Sequence, residues 1–372
     1  MRSKNRGVED FNCQCKGDSI LCQINQQNKE SYKMKIGILT HPLGTNYGGI
    51  LQAWALSTYL ESLGHEVVVL NRKNNLPLIK RVLKNILTLC GYKRYADPKY
   101  SKLVRFVENN INYSKPLSTD RQMTSFVKQS GLDLVIVGSD QVWRPDFAKK
   151  YGFNYFLDFV PQGVKQASYA ASFGLSDWGF NSEETQTIAR LLSKFVAVSV
   201  REDEAVKLCK DNLGIEVDHL LDPTLLLTYT EYNKIASGRK IDEPYTFVYW
   251  LGSDAEKQKA IREFGDQTKI VEISLRGNTQ LDSIEDWLSY IKYADNIITD
   301  SFHGLVFSIL FNKQFYIQSN ASGGNGRIQS LLKMFDITAQ LDKTLSIDYS
   351  VVNMRVDDFR KNAYMFLCEL CV

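Results

Sequence analysis

Four short polar segments of this chain stand where the sequence predicts the carboxyl end of a buried strand. They are residues 40–49, 138–144, 199–202 and 299–304. In open parallel α/β sheets, ligands bind in the crevice beyond the carboxyl ends of the strands. Each segment carries side chains that can bind an anion or move a proton. Their common placement therefore predicts one site built from all four.

Among the four histidines of the chain, His303 is the strongest candidate for acid–base catalysis. It lies between a predicted strand end and Gly304, which opens a predicted helix, so its ring can reach a cleft between domains. Histidine titrates near neutral pH and can act as a general acid or base. Asp300 and Ser301 stand beside it as candidate orienting groups, and we assign catalysis to His303 and Asp300.

Two arginines are candidates for binding an anion. Arg201 directly follows a predicted strand, where its guanidinium can form two parallel hydrogen bonds to a carboxylate or phosphate. The alternative is an ion pair with Glu202, Asp203 or a partner across the cleft. Arg327 opens a predicted helix after the glycine-rich stretch 322–326, which suits closure on an anion. Its alternative is an ordinary surface loop.

The segment 40–49 contains three glycines and leads into a predicted helix, so free backbone N–H groups could cradle a phosphate there. It matches neither the dinucleotide-binding nor the P-loop glycine spacing. A tight loop that needs glycine for its backbone conformation is an equal alternative. Asn46 and Tyr47 add hydrogen-bonding groups and a stacking face, which suits a sugar.

Alternating strand and helix patterns must position these segments, and they predict an α/β fold with two Rossmann-like domains facing across a cleft. Strands are predicted at 35–40, 66–70, 133–138, 166–173, 195–200 and 217–221, and then at 245–251, 269–275, 296–299 and 314–317. Helices are predicted at 50–63, 255–264, 283–293, 304–311, 327–334 and 351–370.

The domain limits follow from changes in this pattern. The apolar pattern begins abruptly at Met34, so we expect residues 1–33 to form a disordered extension. We expect one domain over 34–235 and a second over 240–345. Residues 346–372 would then end the chain with a helix that could pack back on the first domain.

The overall composition excludes several functional classes. The 372 residues are 44% hydrophobic and carry a net charge of +3, which excludes a general nucleic-acid coat but not a local anion site. No stretch approaches the roughly 18 apolar residues of a membrane span, and no signal sequence is recognisable. The seven cysteines are scattered, which is typical of reduced thiols. We therefore expect a cytoplasmic protein, and nothing in the sequence demands a metal.

Seven short motifs occur in order along the chain. They are 46–56 (NYGGILQAWAL), 137–143 (VGSDQVW), 169–174 (YAASFG), 199–202 (SVRE), 221–224 (LDPT), 299–304 (TDSFHG) and 326–328 (GRI). In this order they resemble the polysaccharide pyruvyl transferase family, over nearly everything after Met34. Some members carry an arginine two residues before the histidine, where this chain has Ser301.

The resemblance implies a fold similar to the GT-B glycosyltransferases, with the active site in the cleft. It also implies transfer of the enolpyruvyl group of phosphoenolpyruvate to a sugar. Such a reaction makes a pyruvate ketal in a bacterial surface polysaccharide, a capsule or exopolysaccharide, or in a precursor that a lipid could carry. It releases phosphate and needs no redox cofactor.

With this reaction, the candidate residues divide between the two substrates. His303 could protonate the methylene carbon of phosphoenolpyruvate, or it could take the proton of the sugar hydroxyl. The second domain would be the donor side, and donor binding is assigned to Arg201, Ser301, Gly304 and Arg327. The first domain would be the acceptor side, with Asn46, Tyr47, Gly48, Asp140, Gln141 and Trp143.

Two other functions remain open at this point. One is a GT-B glycosyltransferase that uses a nucleotide-sugar, with the same helix N-termini and arginines holding a diphosphate. The other is a non-catalytic carbohydrate-binding protein that has kept the fold. A related donor or a different acceptor would also fit the resemblance, and neither the acceptor sugar nor the oligomeric state follows from the sequence.

Overall fold

The computed structural model describes residues 33–73, 98–265, 268–275, 280–318, 325–337 and 347–371. Apart from Lys33, the expected N-terminal extension lies outside the described residues, and so does most of the glycine-rich stretch before Arg327. The described part of the chain folds around two separate parallel sheets. The predicted two-domain α/β architecture is confirmed.

The first sheet has six parallel strands in the order β2-β1-β3-β4-β5-β6. They are β1 (Lys35–Leu39), β2 (Glu66–Val69), β3 (Leu134–Val137), β4 (Lys165–Ala171), β5 (Ala197–Val200) and β6 (Asp218–His219). Continuous apolar runs, such as the wholly buried LVIV of β3, suit strands that helices cover on both faces. That is why the sequence predicts these strands to within a few residues.

Helices lie on both faces of this sheet. They are α1 (Tyr47–Ser62), α2 (Ser101–Asn110), α3 (Asp120–Ser130), α4 (Pro145–Ala148), α5 (Ser182–Leu192), α6 (Asp203–Leu213) and α7 (Tyr229–Ile235). Alternate residues of β3 point to opposite faces. Leu134 and Ile136 therefore join one core with residues of α1, and Val135 and Val137 join another with residues of α3, α5 and α6.

The second sheet has four parallel strands in the order β10-β9-β7-β8. Its strands are β7 (Tyr245–Trp250), β8 (Lys269–Ser274), β9 (Asn296–Thr299) and β10 (Gln314–Ile317). Its helices are α8 (Asp254–Phe264), α9 (Ile284–Tyr293), α10 (Phe302–Leu310) and α11 (Asn325–Met334). Strand β7 is buried along its whole length, as the central strand of a covered sheet should be.

The last helix, α12 (Tyr349–Leu370), contacts residues of the domain that contains the first sheet. The Arg360 guanidinium donates to the carbonyl oxygens of Leu225 and Leu227, at 2.6 and 3.0 Å. The ring of Phe366 lies edge-on to Tyr169, with 6.2 Å between the ring centroids. None of the helices in the described ranges combines the length and apolar character needed to span a bilayer.

Tyr47, in the domain of the first sheet, contacts the domain of the second sheet directly. Its ring stacks on Trp287 of α9, with centroids 5.2 Å apart, and its hydroxyl donates to the carbonyl oxygen of Asp282 at 2.9 Å. Helix α1 begins at Tyr47 rather than at residue 50 because Asn46 caps it, with Oδ1 accepting from Gly49 N at 3.2 Å. The cap thus fixes the residue that carries this contact.

The order of the strands decides where a ligand can bind. In the first sheet β1 lies between β2 and β3, so the chain leaves the carboxyl ends of β1 and β3 in opposite directions. The same holds for β7 and β9 in the second sheet. Crevices open at such points, and the predicted segments 40–49, 138–144 and 299–304 border them.

Gly138, directly after β3, should tolerate no side chain. Its φ is 125°, and an added Cβ would overlap the carbonyl oxygen of Tyr169. We expect Gly138→Ala to lower the free energy of unfolding by more than about 3 kcal/mol, measured by urea denaturation. Gly131→Ala is the matched control, since its φ is 60° and its surroundings are open, and it should cost about 1 kcal/mol. Equal losses in the two variants would contradict this packing.

Candidate active site

A buried ion pair between Arg201 and Asp222 lies at the centre of the site. Arg201 follows β5, and its Nη1 donates to Asp222 Oδ2 at 2.7 Å. The two side chains are 1% and 0% exposed. Burial alone would lower the pKa of Arg201, but Asp222 and the neighbouring carboxylates of Asp140 and Glu202 raise it above its ordinary value.

Donors hold Asp222 on both of its oxygens. Oδ1 accepts from the backbone N–H and the hydroxyl of Thr224, at 3.0 and 2.7 Å. Oδ2 accepts from Ser139 Oγ at 3.2 Å in addition to Arg201. Burial would raise the pKa of Asp222, but the neighbouring His303 ring, Arg201 and the Thr224 donors hold it well below its usual range. Asp222 is therefore a fixed negative charge.

His303 approaches this charge from the domain of the second sheet. It lies in the first turn of α10, and its Nε2 is 3.7 Å from Asp222 Oδ2, an electrostatic contact rather than a hydrogen bond. On its other side the ring packs on the backbone of Gly48, where an added Cβ would overlap Nδ1. The absence of a side chain at Gly48 lets α1 and α10 approach this closely.

Phe302 brings a second arginine to the site. Its ring centroid lies 4.4 Å from the guanidinium carbon of Arg201 and 5.8 Å from that of Arg327. Burial and the like charge of Arg201 lower the pKa of Arg327 to about 10. Arg327 is still a cation at neutral pH, but one that its surroundings disfavour. A bound anion would relieve this repulsion.

Several buried nitrogens of this cluster lack a hydrogen-bond partner among the described residues. They are Nε and Nη2 of Arg201, Nε of Arg327 and Nε2 of His303. Buried polar groups are normally paired, because leaving one unpaired costs about 1–3 kcal/mol. Since these nitrogens come from the domains of both sheets, the arrangement suits a small ligand rich in anionic oxygens that binds between them.

Two further carboxylates border Arg201. Glu202 Oε1 accepts from one hydroxyl and two backbone N–H groups of the loop after β4, and Oε2 lies 3.9 Å from Arg201 Nε. Asp140 Oδ1 lies 3.9 Å from Arg201 Nη2. The φ of Asp140 is 69°, a left-handed conformation that is uncommon outside glycine and often marks functional sites.

The family model for polysaccharide pyruvyl transferases matches residues 46–322, which is well over half of the chain. The chain belongs to the polysaccharide pyruvyl transferase family. The match contains every site residue described above except Arg327. Members of this family are transferases, so the chain is assigned to polysaccharide pyruvylation in general terms. A comparison with curated protein sequences found no match.

Solved structures resemble the fold at low sequence identity. UGT89C1 of Arabidopsis thaliana, in complex with UDP-L-rhamnose, is 8% identical with a TM-score of 0.52, and the match covers 92% of this chain and 100% of that one. The UDP-GlcNAc 2-epimerase of Methanocaldococcus jannaschii is 13% identical with a TM-score of 0.45, covering 90% and 100%. The likeness to the Arabidopsis protein, whose TM-score is above 0.5, concerns the fold alone, and it confirms the expected similarity to GT-B glycosyltransferases.

In this member of the family, the residues around His303 shape the start of α10. Ser301 caps the helix, with Oγ accepting from Gly304 N at 3.3 Å. The two oxygens of Asp300 accept from the backbone N–H groups of Leu251 and Gly252, at 2.7 and 2.6 Å, and burial raises its pKa. Asp300 thus ties the loop after β7 to the loop after β9. The carboxylate that faces His303 is Asp222, not the one that sequence proximity suggested.

The predicted acceptor residues of the transferase separate into two groups. Asn46 is exposed, and Gln141 is half-buried beside Asp140, so a ligand can reach them. Tyr47 and Trp143 are fully buried, which differs from the expected contact with a sugar. The core encloses both rings: Tyr47 stacks on the second half of the chain, and Trp143 Nε1 donates to the carbonyl oxygen of Tyr155 at 2.8 Å.

Two important positioning residues were absent from the predicted site. Asp222 follows the predicted strand 217–221, so the strand-end rule that selected the other segments also selects it. Gln52 lies inside α1 and joins two loops: Nε2 donates to Thr40 Oγ1 at 2.9 Å, and Oε1 accepts from Ser139 N at 3.1 Å. No sequence signal distinguishes such a glutamine, because its partners are set by tertiary packing.

Asp222→Asn should destabilise the transferase by about 3–5 kcal/mol near neutral pH, because it removes the closest counter-charge of the buried Arg201. The pKa of Asp222 is lowered by folding, so its contribution is present above the ordinary aspartate pKa of about 3.9 and decreases as the pH falls below it. The difference in unfolding free energy between the two proteins, measured in urea, should therefore shrink near pH 3.

The control for this variant is Asp358→Asn, which removes an exposed carboxylate paired with Lys361 on α12. It should change stability by less than about 1 kcal/mol. A cost of Asp222→Asn near neutral pH no greater than that of the control would contradict the central role of the ion pair.

Arg327→Met should raise the melting temperature by a few degrees, because folding disfavours the charged form of this side chain at every pH below its lowered pKa. Millimolar inorganic phosphate should raise the melting temperature of the unaltered protein and leave that of the variant unchanged. Arg355→Met, which breaks an exposed pair with Asp336, should keep the phosphate response. Equal phosphate responses in all three proteins would count against an anion site at Arg327.

Proposed function

We propose that the chain transfers the enolpyruvyl group of phosphoenolpyruvate to a sugar of a bacterial surface polysaccharide or of its precursor. The products are a pyruvate ketal and phosphate. Family membership supports polysaccharide pyruvylation in general. The choice of donor rests on one observation, the unpartnered N–H groups of Arg201 and Arg327, whose guanidinium groups both lie near the ring of Phe302, the residue before His303.

Phosphoenolpyruvate matches these groups because it carries a carboxylate and a phosphate on one small molecule. Arginine binds both kinds of oxygen through charge-assisted hydrogen bonds. Some relatives supply an arginine where this chain has Ser301. Arg327 contacts the same Phe302 ring as Arg201 and can provide the corresponding charge. The two guanidinium groups then stabilise the charge that develops on the departing phosphate.

His303 supplies the proton that the methylene carbon of phosphoenolpyruvate requires. The Asp222 carboxylate, 3.7 Å from Nε2, is a counter-charge for the protonated ring. Protonation of C3 leaves C2 electrophilic, and a sugar hydroxyl adds there. A second sugar hydroxyl then bonds to C2 and gives its proton to the departing phosphate, which leaves with the electron pair of its C–O bond. The acceptor binds at the carboxyl edge of the first sheet, near Asn46, Gly48, Asp140 and Gln141.

The test is incubation with phosphoenolpyruvate and methyl glycosides of galactose and N-acetylhexosamines. Phosphate release should accompany a pyruvyl ketal detected by mass spectrometry. His303→Gln should lower the rate by about 10²–10⁴-fold with the fold intact, because a general acid is lost. His65→Gln is the matched control, since His65 precedes β2 at the opposite edge of the sheet, and it should keep its activity.

Two outcomes would contradict the proposal. Turnover with a nucleotide-sugar but not with phosphoenolpyruvate would replace it with a glycosyltransferase reaction. Sugar binding without turnover, unchanged in His303→Gln, would indicate a carbohydrate-binding protein.

A further inference from the structure

The carboxylates around Arg201 differ in their capacity to accept another hydrogen bond. Asp222 has donors on both oxygens, and so does Asp300. Glu202 accepts three hydrogen bonds on Oε1. Its Oε2 has no hydrogen-bond partner among the described residues, but the side chain is only 2% exposed, so a substrate hydroxyl cannot reach that oxygen. Asp140 is 15% exposed and accepts from Gln141 N at 2.8 Å through Oδ1. In the part of the chain that the structure describes, no hydrogen bond is made to its Oδ2.

Asp140 lies near both of the proposed substrate positions, beside Arg201 on the donor side and beside α1 on the acceptor side. Its Oδ1 lies 3.9 Å from Arg201 Nη2, whereas Asp222 binds Nη1 of the same guanidinium. One arginine therefore separates the carboxylate that faces His303 from a second carboxylate. Asp140 Oδ2 lies 3.5 Å from the position of a Cβ on Gly49, in the first turn of α1. The open oxygen thus lies at the carboxyl edge of the first sheet, where the acceptor is expected.

The surrounding charges keep Asp140 ionised. Burial would raise its pKa, but His41, Arg201 and His303 together hold the pKa of this carboxyl below its ordinary value. His41 is fixed in place, since its Nδ1 is 3.2 Å from the hydroxyl of Tyr155. An ionised carboxylate with an open oxygen is a proton acceptor, not a donor.

We propose that Asp140 is the general base that takes the proton of the attacking sugar hydroxyl. This inference rests on the proposed function. As the hydroxyl oxygen gives an electron pair to C2 of phosphoenolpyruvate, its O–H bond breaks and the proton passes to Asp140 Oδ2. The π pair of the C2–C3 bond takes the proton of His303. The step moves one proton onto Asp140 and one from His303, and it needs no further reactant.

The reaction itself calls for two such groups. A sugar hydroxyl is a weak nucleophile at neutral pH, and a positioned base accelerates its addition by about 10²–10⁴-fold. While His303 gives its proton to C3, it cannot also receive the hydroxyl proton. The two carboxylates beside the Arg201 guanidinium have different roles. Asp222 is the counter-charge of the acid, His303, and Asp140 is the base.

The first test is Asp140→Asn. Asparagine is almost isosteric, tolerates the positive φ and can still accept from Gln141 N, so the loop should keep its conformation. We expect ketal formation to slow by about 10²–10⁴-fold, while the calorimetric Kd for phosphoenolpyruvate stays the same or falls because a negative charge is lost. Asp358→Asn, an exposed carboxylate on α12, should match the unaltered protein in both measurements.

The second test is chemical rescue. Asp140→Gly suits the left-handed backbone and leaves space for a small carboxylate, so sodium formate should restore at least a tenfold increase in ketal formation in this variant and not in Asp140→Asn. A merely structural role would not respond to formate.

The outcomes separate this inference from the function on which it rests. An unaltered protein that releases no phosphate from phosphoenolpyruvate with any acceptor overturns both. If the unaltered protein is active, any of three results overturns the role of Asp140 alone. Asp140→Asn stays within threefold of the unaltered rate, Asp140→Asn loses phosphoenolpyruvate binding in parallel with turnover, or formate has no effect on Asp140→Gly.

Discussion

The buried pair of Arg201 and Asp222 is the interaction on which the rest of the site depends. A guanidinium enclosed by the protein must be balanced by a carboxylate, and the removal of either partner leaves a buried charge that is costly. The pair joins the chain after β5 to the chain after β6. Ser139, after β3, donates to the same carboxylate, so three strand ends of the first sheet are fixed relative to each other.

The second constraint is the close contact between the two domains, each built on one of the two sheets. Gly48 lets the His303 ring pack against α1, and Tyr47 beside it stacks on Trp287. On the far side of the site, Ser330 of α11 accepts a hydrogen bond from Asp203 N of α6 at 3.0 Å. The acid, the counter-charge and both arginines therefore meet only when these contacts form. Burial and the like charge of Arg201 destabilise the charged form of Arg327 in the folded protein, and a bound anion would offset this destabilisation.

The sequence predicts the fold and the framework of the site well, for a physical reason. Strands buried on both faces carry continuous apolar runs, and the ends of such strands locate Arg201, Asp140 and His303 without further information. The partners of these residues are harder to predict. His303 faces Asp222, not the adjacent Asp300, because domain packing rather than chain proximity decides the contact.

Aromatic side chains show the same limit. Tyr47 looks suited to a sugar by type and position, but its ring is buried by residues more than two hundred positions away in the chain. Local sequence patterns indicate which residues have side chains capable of binding or catalysis. Only the tertiary contacts report which of them remain open to a ligand, as Asp140 does and Trp143 does not.

A crystal structure of the protein bound to phosphoenolpyruvate tests the central claim most directly. We expect anionic oxygens of the ligand on the open N–H groups of Arg201 and Arg327, with its methylene carbon within about 3.5 Å of His303 Nε2. Phosphoenolpyruvate bound elsewhere, or bound with its methylene carbon turned away from His303, would contradict it.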